Sequence, residues 1–172
     1  LRTEVETLIG DRIPTHEDKA RCHYVMAYIS ECLRHSNIIP QGVNDEAVVD
    51  TTIGDYKIAK GSEIMVYQGN ILHQSQHWDK PYDFIPERFL DSNGQYLTVR
   101  PKAYIPFGVG RRVCIGEKMA IADLFLVLVR FLQKTSDYSI GLHCDRREDM
   151  LSPDPNNVFE YHPKYFEISF KK

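Results

Sequence analysis

The chain has 172 residues, 42% of them hydrophobic and 26% charged, with a net charge of -3, enough for one domain with a sizeable core. That charge balance speaks against a nucleic-acid partner held by bulk charge. The four cysteines (Cys22, Cys32, Cys114, Cys144) show no C-x-x-C spacing, which speaks against a zinc ribbon and leaves reduced thiols as the expectation. No signal-peptide pattern is visible, and the longest apolar run, Ile121 to Leu132, is interrupted by Asp123 and Arg130.

In chain order, Leu1, Val5, Leu8 and Ile9 recur at helical spacing and stop at Gly10. Thr15-His16-Glu17-Asp18 reads as a capping sequence, with an acid three residues after the threonine. A second helix is expected from about His16 to His35, with Val25, Ile29 and Leu33 on one face and Pro40 barring continuation. Glu31 and Arg34 lie three apart on it and share a face; taken alone, such a pair is a solvated surface contact. Tyr56 and Ile58 alternate before Lys60-Gly61, with Ile64 and Val66 after it, which predicts a hairpin turning at Lys60-Gly61. His73, near Trp78 and Phe84, is expected to be a packed structural histidine rather than a metal ligand. Asp91 to Gly94 is a turn.

The stretch Phe107-Gly108-Val109-Gly110-Arg111-Arg112-Val113-Cys114-Ile115-Gly116 places one cysteine among glycines and arginines, just ahead of a helix. A lone cysteine by a glycine-rich turn is most often a small buried hydrophobe. Here Arg111, Arg112 and the helix N-terminus all favour a thiolate, and a thiolate suits a soft metal as an axial ligand. The glycines allow close backbone approach and positive φ. From Glu117 to Gln133 the sequence is apolar almost all round, which predicts a buried helix. Cys144 to Pro155 is polar and turn-like, and Phe166, Ile168 and Phe170 alternate as a terminal strand.

The ten-residue stretch matches F-x-x-G-x-R-x-C-x-G and so resembles the haem-ligand signature of the cytochrome P450 family, with five fixed positions in ten. The order of landmarks is also similar: an E-x-x-R helix (Glu31, Arg34), then P-E-R-F (Arg88), then the cysteine loop. The resemblance implies a mainly α fold with small β-sheets (α+β), the C-terminal part of the P450 fold. It implies haem, with Cys114 as the proximal thiolate on iron, Phe107 shielding the sulfur and Arg112 pairing with a propionate. Gly108, Gly110 and Gly116 would give the loop room under the macrocycle, and Glu31, Arg34 and Arg88 would form a buried structural triad.

His35-Ser36, Thr52-Ile53-Gly54 and the Pro-Phe-Gly around Phe107 resemble the animal microsomal branch that contains the steroid 17-hydroxylases and aryl-hydrocarbon hydroxylases. The likeness is good over roughly residues 4 to 135 and rests only on the strand pattern thereafter. One departure stands out. Where that branch often has Pro-His, an ungapped count from Arg34 reaches Asn44-Asp45; an acid there would repel a propionate, so Asp45 is left out of the haem set.

By resemblance the chain is expected to be a single fragment, residues 1–172, starting at Leu1 and lacking an upstream distal oxygen-activating helix and an N-terminal membrane anchor. The implied activity is monooxygenation of a lipophilic, steroid-like substrate with dioxygen, on the cytoplasmic face of the endoplasmic reticulum. Electrons would come from NADPH through a flavoprotein reductase docked near Arg111 and Lys118. Two rivals stand beside it: an isomerase or dehydratase of the same fold needing no external electrons, and a non-catalytic haem-binding fragment.

Overall fold

A carboxylate from one helix caps the next. Helix α1 (Arg2–Leu8) carries Glu4, whose two oxygens accept from Tyr24 N at 2.9 Å and Val25 N at 2.8 Å. These are orphan donors at the start of α2 (His23–His35), and negative charge is favoured there. The computed structural model describes residues 1–142, 160–163 and 165–172.

The expected helix from His16 to His35 is two elements. A 3-10 turn covers His16–Ala20, and α2 begins only at His23, because Cys22 lies outside helical geometry (φ -91°, ψ 73°). Asp18 holds the break. Its carboxylate accepts from Thr15 N at 2.9 Å, Arg12 Nη1 at 2.8 Å and Arg21 Nη2 at 3.2 Å, and its carbonyl accepts from Cys22 N.

The described strands are short and pair in antiparallel twos. β1 (Asp45–Glu46) pairs with β4 (Glu63–Ile64), β2 (Thr51–Ile53) with β3 (Tyr56–Ile58), and β5 (Ser139–Leu142) with β6 (Ile168–Lys171). The predicted hairpin therefore paired the wrong strands. The tight turn is at Gly54-Asp55, where Gly54 has φ +57°, while the Lys60-Gly61 corner returns the chain to β1 through Gly61 N to Ala47 O and Ala47 N to Ser62 O. The terminal strand lies where alternation put it, but Cys144 to Pro155 falls outside the described residues. The Asp91 turn is present: Asn93 N and Gln95 N both donate to Asp91 Oδ1.

Helix α3 (Gln68–Leu72) is a short segment leaning on Pro40, and α4 (Glu117–Lys134) follows the cysteine loop. One core joins α1, α2 and α4 through Val5, Cys22, Val25, Ile29, Phe125 and Val129; a second joins Ala27, Trp78, Phe89 and Tyr104. Helix α4 is not buried all round. Phe125, Val129 and Leu132 face inward, whereas Met119 and Val127 are 68% and 69% exposed, since the described chain packs on one side only. The whole is an α+β arrangement. Among the described residues no helix is long and apolar enough to cross a membrane.

Candidate functional site

Residues 105–115 wrap one wall of a cleft of about 620 Å³, within the usual range for small-molecule sites. The opposite wall is the segment after α2 (Ile38, Ile39, Gly42, Val43, Asp45), joined by Val66 and Gln68. Cys114, Phe107, Gly108 and Arg112 all line it, and Cys114 is exposed. The loop closes on itself: Cys114 N donates to Phe107 O at 2.9 Å and Val113 N to Gly110 O at 3.3 Å. Gly108 (φ +77°) and Gly110 (φ +74°) occupy the left-handed region that favours glycine. Gly116 does not: it caps α4 at φ -86°, and a Cβ there would stand 3.7 Å from Cys114 Sγ.

Three contacts brace the cleft and its flanks. Asn37, buried just past α2, donates from Nδ2 to Pro106 O at 3.3 Å and accepts from Ile39 N at 3.0 Å, tying both walls of the cleft together. Arg100 pairs with Glu117 at 3.0 Å and lies over the Tyr104 ring, anchoring the first turn of α4. Gly69 N donates to Pro40 O at 2.8 Å, and a Cβ at Gly69 would lie 2.8 Å from Pro40 Cβ. Asn37 and Gly69 carry no local pattern that would have singled them out; each matters through a partner about thirty or more residues away.

The structure brings Glu31, Arg34 and Arg88 together. Arg34 grips Glu31 with two nitrogens, at 2.7 and 2.8 Å, and Arg88 Nε reaches the same carboxylate at 3.3 Å. Both Glu31 and Arg34 are wholly buried. The remaining donors are satisfied by carbonyls: Arg34 by Leu72 and Pro81 at 2.8 Å, Arg88 by Asp79, Lys80 (2.6 Å) and Asp83. Ile85 N completes the carboxylate at 2.8 Å. Trp78 covers the network, with Arg34 Cζ 5.2 Å from its ring centre. These partners serve three charges, two of them wholly buried, and pin residues 72–88 to α2. Lys80, at φ +45°, supplies the turn that aims those carbonyls.

His73 is a packed histidine, as its setting implied. Its Nδ1 donates to Gly69 O at 2.9 Å and its ring stacks on Tyr82, while Phe84 meets Tyr28 and His35 instead. Arg111 and Lys118 are exposed at the loop and at the first turn of α4. Arg112 is exposed and meets Asp45, Nε to Oδ1 at 3.3 Å. Of the other cysteines, Cys22 is buried and Cys32 half-buried, both free. Burial pushes each thiol up to about 11, so neither offers a thiolate at neutral pH.

The donor set fits haem. An open sulfur, glycines that leave space beside it, apolar walls and a guanidinium at the rim match an iron-bearing macrocycle with carboxylates. Among the described residues no three His, Cys, Asp or Glu side chains gather for a bare ion.

The family model for Cytochrome P450 matches residues 1–168, beyond the 4–135 over which the sequence likeness was good. Similar proteins include the steroid 17-alpha-hydroxylase/17,20 lyase of Rattus norvegicus, 32% identical over all of this chain and 34% of the relative. The farnesoate epoxidase of Bombyx mori is 37% identical over 99% of this chain and 33% of the relative. Cytochrome P450 2B3 of Rattus norvegicus is 31% identical over 96% and 33%. The chain spans about a third of the length of the curated relatives it matches. The cysteine loop, the buried Glu31–Arg34–Arg88 network and the match over 168 residues agree, and the chain belongs to the cytochrome P450 family.

Proposed function

We propose that this chain is the C-terminal, haem-carrying part of a longer monooxygenase that inserts one atom of dioxygen into a lipophilic, steroid-like substrate. Electrons come from NADPH through a flavoprotein reductase, with Arg111 and Lys118 on the docking side, and the whole protein sits on the cytoplasmic face of the endoplasmic reticulum. The observation that carries this reading is the Cys114 sulfur, exposed in an apolar-walled cleft that Arg112 also lines.

In this reading Cys114 ligates the iron and Arg112 receives a haem carboxylate. Bound through a thiolate, haem supplies oxygen activation by O–O cleavage. Phe107 holds the Cys114 backbone through its carbonyl, and Gly108, Gly110 and Gly116 keep the loop free of side chains beside the ring. Glu31, Arg34 and Arg88 hold residues 72–88 against α2 and touch no reactant. Ile38, Ile39 and Val43 supply the apolar wall that a lipophilic substrate needs.

The test is a haem titration followed by the reduced carbon monoxide spectrum. A thiolate-type Soret band that Cys114→Ser abolishes, with secondary structure unchanged, supports the assignment; a band surviving that substitution refutes it. With the full-length protein and reductase, product formation should require NADPH. Turnover of an already oxygenated substrate without NADPH would point to isomerase or dehydratase chemistry.

A further inference from the structure

The guanidinium assigned to a haem carboxylate already holds one. Asp45 is placed by backbone pairing, opposite Ile64 in the β1–β4 ladder, and its Oδ1 accepts from Arg112 Nε at 3.3 Å. Both residues line the cleft that Cys114 opens into. Among the described residues Arg112 meets no other acceptor. The pair is open to water, with side chains 78% and 45% exposed, so it exchanges partners at little cost.

We infer that Asp45 is an internal competitor for the haem carboxylate, occupying Arg112 until haem displaces it. One guanidinium neutralises one carboxylate. Two carboxylates at Arg112 leave a net negative cluster, so the second enters against repulsion or by expelling the first. Asp45 thereby weakens the hold of this chain on haem and makes that hold an exchange rather than a simple gain. The inference rests on the haem reading above and concerns a residue outside the set that binds the cofactor.

The test measures haem dissociation constants from Soret absorbance for the full-length protein and its Asp45→Asn, Asp45→Glu and Arg112→Ala variants, with Cys114→Ser as the ligation control. Asp45→Asn should bind haem about three- to tenfold more tightly than the parent, the range expected when an exposed ion pair and a like-charge contact are both removed. Asp45→Glu, which keeps the charge, should stay within about twofold of the parent. In an Arg112→Ala background the gain from Asp45→Asn should shrink to less than half. Equal or weaker binding by Asp45→Asn overturns the competition and makes Asp45 a support for Arg112. A gain of the same size without Arg112 overturns it in favour of plain repulsion. Haem binding insensitive to Cys114→Ser, or absent in the full-length parent, overturns the haem reading itself and the exchange with it, and the parent titration reports that before any Asp45 variant is compared.

Discussion

Arg34 is a buried cation whose donors all end on one carboxylate and three carbonyls, so its removal has an unusually clear consequence. Arg34→Ala leaves Glu31 wholly buried with only Arg88 and the Ile85 N–H, at an expected cost of about 3–5 kcal/mol in urea denaturation. Arg34→Lys should recover little of it, because an ammonium cannot grip two oxygens and reach Leu72 and Pro81 together. A loss below about 1 kcal/mol would show that the network is dispensable. The E-x-x-R spacing made the pair visible in the sequence, yet spacing alone reads as a surface contact. Burial, which turns a few tenths of a kcal/mol into several, exists only once Trp78 and the carbonyls of residues 72–83 close over it.

Asp18 decides where one element ends and the next begins. The Arg12 guanidinium, then the Thr15 N–H, hold its carboxyl well below the usual carboxylate range, with Arg21 adding to the effect. A depressed folded-state pKa contributes stability that is complete above the unfolded value of about 4 and is lost as pH falls below it. Asp18→Asn should therefore lower the melting temperature at pH 7 and flatten the acid limb of stability below about pH 4. An unchanged acid limb would place the sensitivity elsewhere. The capping pattern around Thr15 was legible, but joining it to the Val25, Ile29 and Leu33 spacing as one helix hid the break at Arg21 and Cys22. Three arginine and backbone donors converging on one carboxylate, two of them from a preceding loop and a following corner, outweigh local helix preference. The wrong strand pairing has a similar cause: alternation identifies a strand without naming its partner, and Gly54, not Gly61, makes the tight turn.

Across the whole molecule the thiols report how the described elements pack. Cys22 sits in the core shared by α1, α2 and α4, Cys32 is half-buried on α2, and Cys114 opens to the cleft. Near neutral pH iodoacetamide should modify the exposed Cys114 in the folded chain, and Cys22 and Cys32 only with global unfolding, as followed by peptide mass mapping. Early labelling of Cys22 would mean the three-helix core opens locally. The cysteine loop, its landmarks and its family were determined by the sequence alone, because a ligand signature is local: its residues are neighbours in the chain and need no fold to be recognised. Only the tertiary structure decided that α4 leaves an apolar flank exposed, that Asn37 and Gly69 hold the cleft walls, and that Asp45 meets Arg112. Each depends on which distant surfaces come within a few ångströms, and packing sets that where local propensity does not.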